Sequence, residues 1–175
     1  MRPMIAVRRQ RPLAVRIAEY FLVGVALAGG TLVLATRFGL AFPIQDRRCL
    51  PYSAYLVIWD GQAPEPGEFV VFRTDQRVKP IYPAGVDFVK KVVAGGGSAY
   101  RVRADGEVLV NGEVLGHMEK DVLKELEVPP EALARTGQVP KGGVFAIGTL
   151  PGTYDSRYWG PVRREQIRGR AIPLF

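Results

Sequence analysis

At 175 residues the chain has room for one core-bearing domain plus a short extra segment, and not for two full domains. Much of its net charge of +7 sits at Arg2, Arg8, Arg9, Arg11 and Arg16, ahead of an apolar run, which suits a membrane-topology signal and not the basic folded face that nucleic-acid binding needs. A single cysteine, Cys49, excludes an intramolecular disulfide, and a single histidine leaves every histidine-dependent hydrolase arrangement hanging on His117.

The first element is the run from Ile17 to Thr36, whose only charge is Glu19 near its edge. A helix of about 20 residues rising ~1.5 Å per residue matches the ~30 Å hydrocarbon core of a bilayer. Gly24, Gly29 and Gly30 would weaken a soluble helix but are tolerated in a membrane one. A cleaved leader fits poorly, because the run is long and is followed by Arg37 and then Phe38 through Ile44, with no small-x-small site. A lipoprotein site at Cys49 is excluded by Asp46, Arg47 and Arg48 before it. The expected order is therefore a basic cytoplasmic segment (1–16), a transmembrane helix (17–36) and an exported domain (37–175) outside the cytoplasmic, or inner, membrane.

Beyond the span, short β-like runs alternate with turn signals: Tyr55–Trp59, Glu68–Arg73, Asp87–Val93, Ala99–Val102, Glu107–Val110, Val144–Ile147 and Ile167–Ile172. Asp105-Gly106 and Asn111-Gly112 are tight-turn dipeptides bracketing one of them. The stretch Lys120–Arg135, interrupted by Pro129-Pro130, reads as a short helical insert. The fold predicted is an irregular, mainly antiparallel β domain on one N-terminal membrane helix.

His117 lies in the turn-rich GEVLGHMEK stretch beside no nucleophile and reads as a solvated surface residue. Nothing has the ligand spacing of a metal site, and Gly95-Gly96-Gly97 lacks the ending of a phosphate-binding loop, so neither metal nor cofactor is expected. A hydrolase without histidine can use a nucleophile activated by a lysine amine, provided the lysine is buried among apolar residues. Asp87–Val93 offers that setting: alternation puts Phe88, Lys90 and Val92 on one face and Val89, Lys91 and Val93 on the other. The same pattern also describes an edge strand with two solvated lysines, and periodicity alone favours that reading.

PGEFVVFR (Pro66–Arg73), DFVKKVVAGGG (Asp87–Gly97), DGEVLVNGEVL (Asp105–Leu115), VPKGGVFAIG (Val139–Gly148) and YDSRYWGPV (Tyr154–Val162) occur in an order that resembles the type I signal peptidase family, DSRYWG being the most specific match. The resemblance runs from about Phe42 to Ala171. It implies a serine–lysine peptidase in which Lys90 is the general base and Lys91 the basic residue after it. The nucleophile segment, Cys49-Leu50-Pro51-Tyr52-Ser53-Ala54-Tyr55, departs from the housekeeping Ser-Met-x-Pro pattern. It is similar to the conjugative-transfer (TraF-type) branch, with Cys49 in place of the serine. Ser53 is the alternative nucleophile if the motif is shifted. A thiol, with a reference pKa of ~8.5, asks less of the lysine than a hydroxyl does.

The resemblance also implies that the Thr153 hydroxyl orients the lysine and that Asp155 and Arg157 hold the framework of the site. Where the family commonly places an oxyanion donor two residues before the nucleophile, this chain has Arg47. The implied activity is removal of a leader peptide at the membrane surface through a thioester, from a conjugative pilin or other transfer-system subunit, with cyclisation of the pilin as a variant outcome. The implied partners are that protein substrate, membrane lipid and other proteins of a transfer apparatus, with no nucleic acid. The rival reading is an inactive scaffold of a secretion or conjugation apparatus that kept the fold and lost the serine.

Overall fold

The computed structural model describes residues 12–43, 48–79 and 81–175. The chain forms two units, residues 1–37 and 38–175. Within the first lies helix α1 (Leu13–Arg37), 25 residues long, with no buried residue. By length and composition it can cross a membrane, reaching about 37 Å at ~1.5 Å per residue. Its two threonine hydroxyls are satisfied inside the helix: Thr31 Oγ1 donates to Leu27 O at 2.8 Å and Thr36 Oγ1 to Val33 O at 3.0 Å. Of the N-terminal arginines, Arg2, Arg8, Arg9 and Arg11 lie outside the described residues.

The second unit begins with β1 (Phe38–Ala41), β2 (Tyr55–Ile58), β3 (Phe69–Arg73) and β4 (Asp87–Gly95). Then follow β5 (Ala99–Val102), β6 (Glu107–Val110), β7 (Glu113–His117), α2 (Lys120–Leu126), β8 (Arg135–Gln138), β9 (Val144–Ile147), α3 (Ser156–Trp159) and β10 (Ile167–Pro173). A six-stranded sheet has the order β1-β2-β10-β3-β4-β9, and a four-stranded sheet has the order β7-β6-β5-β8. Every pairing is antiparallel, as the alternating sequence patterns predict. Since β4 pairs with β9, everything between them, including the smaller sheet and α2, is one excursion from the larger sheet.

Alternation on β3 shows how the larger sheet is buried on both faces. Val70 and Phe72 join a cluster with Phe88, Val92 and Ala146, while Val71 joins Leu50, Tyr55, Val57 and Ala171. Asn111 and Gly112, at φ 53° and 87°, turn β6 into β7 with both central residues left-handed, the geometry that an Asn-Gly pair accepts most readily.

Three expectations change. The α-helical part of the insert stops at Leu126, because Glu127 turns left-handed at φ 55°; after the prolines only a 3-10 turn, Pro130–Leu133, remains before Arg135 opens β8. His117 ends a strand instead of lying in a turn, though it is exposed as expected. The strand bearing Lys90 lies between β3 and β9 and is not an edge, so its lysines are not both solvated.

Candidate active site

Lys90 owes its position to pairing on both sides of β4. Its neighbour across the β3 ladder is Val70, and the burial of β4 alternates so that Phe88, Lys90 and Val92 all face the core. Lys90 is 1% exposed, and its Nζ has no hydrogen-bond partner among the described residues. The ring centroid of Phe88 lies 5.8 Å from Nζ. Lys91, on the opposite face, is half-buried. An unpartnered buried amine costs about 1–3 kcal/mol, which makes it a feature to be explained by chemistry.

Cys49 is half-buried in the segment before β2. The loop after β9 holds its backbone: Thr149 N and Leu150 N donate to Cys49 O at 2.9 and 3.3 Å. Because β9 pairs with β4, the loop that carries Cys49 is fixed to the strand that carries Lys90. Both residues line one cavity of about 100 Å³, together with Arg48, Leu50, Tyr55 and Phe88 among others. The Tyr55 phenol is pushed up to about 12, first by burial and then by its neighbours Tyr52 and Cys49, so it stays neutral as a wall of that cavity.

Ser53 is placed differently. It is exposed and absent from the cavity wall, and its backbone N–H donates to Phe175 O at 2.5 Å, where the chain end lies along the start of β2. Arg47 lies outside the described residues, and the exposed Arg48 beside it lines the cavity.

Thr153 and Asp155 are fully buried. The Thr153 hydroxyl donates to Leu150 O at 2.6 Å, thereby closing the loop that holds Cys49. Asp155 accepts from Arg157 Nε at 2.9 Å and Nη2 at 2.8 Å, a two-pronged charge-assisted pair, and also from Gly148 N at 2.9 Å. The carbonyls beyond are held by two further arginines. Arg135 donates to Ser156 O and Arg157 O, and Arg77 to Trp159 O and Pro161 O, which serves the unpaired carbonyl end of α3.

Gly148 has no assigned role in the sequence reading, although it closes the VPKGGVFAIG match. A Cβ there would lie 2.6 Å from Thr153 Oγ1 and 2.7 Å from Cys49 O, both too close for contact. A glycine after a strand reads as a turn, so nothing local signals this close approach. Gly148→Ala is expected to destabilise the domain by about 1–3 kcal/mol through overpacking. Melting of the purified variant checks this; a wild-type melting temperature would mean that the loop relaxes freely.

A profile described as "Signal peptidase, peptidase S26" matches residues 14–175. A signal peptidase I from Leptolyngbya laminosa is 26% identical over 167 residues, covering 87% of this chain and 78% of its own length. A probable signal peptidase I-2 from Synechocystis sp. is 35% identical over 135 residues, covering 75% of this chain, which spans 56% of that relative. Among solved structures, a signal peptidase I from Enterococcus faecalis overlaps at a TM-score of 0.38 and 21% identity, over 65% of this chain and 98% of its own, too loosely for residue-level comparison. With nearly its whole length matched, the chain belongs to the signal peptidase family, peptidase S26.

Proposed function

We propose that the chain is a membrane-anchored endopeptidase that removes leader peptides, with Cys49 as nucleophile and Lys90 as the group that moves protons. The observations that carry this reading are that the two residues line one small cavity and that the lysine amine is buried with no hydrogen-bond partner among the described residues.

In the first half of the reaction the Cys49 thiol gives its proton to Lys90 Nζ, and the sulfur attacks the carbonyl carbon of the scissile peptide. The tetrahedral intermediate collapses as Lys90 returns that proton to the departing amine, which becomes the new N-terminus of the released protein. The leader remains on Cys49 as a thioester. In the second half a water molecule gives a proton to Lys90 and attacks the thioester; the thiolate leaves and takes the proton back. If the attacking group is an amine of the substrate, the product is an amide, which is the cyclising outcome.

A cavity of about 100 Å³ suits a small side chain beside the scissile bond. A transfer-system subunit such as a pilin is the proposed substrate, on the support of the spacing of Cys49, Pro51 and Tyr55. The proposed site of action is the outer surface of the cytoplasmic membrane, supported by helix α1 and the arginines before it.

Processing of a leader-bearing pilin by Cys49→Ala, Cys49→Ser, Ser53→Ala and Lys90→Ala chains tests the assignment. Unprocessed pilin is expected to accumulate with Cys49→Ala and Lys90→Ala and not with Ser53→Ala. Full processing with both Cys49→Ala and Lys90→Ala would sink the catalytic reading, and normal processing by Cys49→Ala with loss in Ser53→Ala would move the nucleophile.

A further inference from the structure

The segment joining β7 to α2 comes from the smaller sheet, yet it grips the loop that holds Cys49. Glu119 makes most of that grip. Its backbone N–H donates to the Tyr158 hydroxyl at 2.8 Å, and its carboxylate Oε2 accepts from Gly152 N at 2.6 Å. Its other oxygen lies 3.7 Å from Arg157 Nη2, and Arg157 Nη1 donates to His117 O at 3.3 Å. Glu119 occupies the cap position before α2, where a side chain would ordinarily accept from its own helix; it makes no such bond and reaches across to Gly152 instead.

From Gly152 the connection to the nucleophile is short. Thr153 closes the turn onto Leu150 O, and the amides of Leu150 and Thr149 hold Cys49 O. Thr149 and Pro151, between these anchors, are exposed, so packing does little to fix the loop there. A carboxylate accepting from a backbone N–H makes a charge-assisted bond, roughly twice as strong as a neutral one.

We infer that Glu119 is a positioning residue: it clamps the loop of residues 148–153 from the smaller sheet and thereby sets where Cys49 stands against Lys90. This deepens the proposed Cys49–Lys90 chemistry and rests on it. It also gives the excursion between β4 and β9 a task in catalysis, since it supplies the residue that tightens the nucleophile loop.

The test compares Glu119→Ala with Glu119→Gln in the full-length chain in detergent, because glutamine keeps an oxygen to accept from Gly152 N. Three quantities are read: kcat and KM on a leader-bearing peptide, the rate at which iodoacetamide alkylates Cys49, and the melting temperature. Glu119→Ala is expected to lower kcat about tenfold with KM within about twofold, as for a misplaced reacting group. It should also change the alkylation rate at least about threefold, while Glu119→Gln recovers both to near wild type. Wild-type kcat and alkylation in Glu119→Ala would overturn the inference, and so would equal losses in both variants accompanied by a large fall in melting temperature. The underlying chemistry fails separately: if alkylating Cys49 in the wild-type chain leaves cleavage intact, Cys49 is not the nucleophile, whatever Glu119 does.

Discussion

Lys90→Met is expected to abolish cleavage and, at the same time, to raise the stability of the β domain. The two effects have one cause. Lys90 is 1% exposed on an interior strand, between Phe88 and Val92 on the same face, and its amine has no hydrogen-bond partner among the described residues. Methionine fills nearly the same volume without a polar end, so it removes the desolvation cost of about 1–3 kcal/mol and leaves no cavity. Turnover loses the proton transfer at both halves of the reaction, a loss of roughly 10²–10⁴-fold. Melting curves and turnover of the same preparation check the pair. A variant that is inactive and less stable would mean that Lys90 holds the core together through a contact made by its amine. A variant that is stable and active would remove Lys90 from the mechanism. Opposite signs for stability and activity are what a residue kept for its chemistry should give.

Asp155→Ala is expected to be the most destabilising single change at the site, by about 3–5 kcal/mol. The carboxylate is fully buried and serves three groups at once: the guanidinium of Arg157, itself only 12% exposed, and the backbone N–H groups of Gly148 and Arg157. Its removal leaves two amides without that acceptor and the guanidinium with only its longer contacts to His117 O, Thr153 O and Glu119. That is a large share of the ~5–15 kcal/mol that holds a typical domain folded. The double variant Asp155→Ala with Arg157→Met is expected to recover part of the loss, roughly 0.5–3 kcal/mol, because the orphaned charge goes too. Chemical denaturation of the three chains measures the coupling. Simple addition of the two single losses would mean that the pair contributes nothing to stability as a pair.

Legibility in the sequence followed the range of the interactions. Strands β2 to β6, β9 and β10 are readable because each alternates apolar residues between turn signals, a pattern carried within a handful of positions. β1 is hidden because Phe38–Ala41 follows directly on the apolar run of α1 and shares its hydropathy. β8, with the sequence RTGQ, is mostly polar and half-exposed, and it is a strand because β5 pairs with it along its whole length. The alternation on β4 places Lys90 correctly beside Phe88 and Val92, but only the long-range pairings to β3 and β9 make that face an interior one. Thr153, Asp155 and Arg157 could be singled out because they lie within a few residues of the specific DSRYWG motif. Glu119 and Gly148 could not, since each matters through a contact remote in sequence, Glu119 with Gly152 and Gly148 with Cys49, that no local pattern encodes.

Trapping the acyl-enzyme tests the central assignment most directly. The full-length chain, mixed with a leader-bearing peptide and quenched in acid, is digested and searched by mass spectrometry for a hydroxylamine-labile leader adduct. The expected adduct sits on the peptide containing Cys49, is lost in Cys49→Ala, and fails to form in Lys90→Met. An adduct on Ser53, or unimpaired cleavage by Cys49→Ala with no adduct anywhere, would contradict the assignment of Cys49 and Lys90.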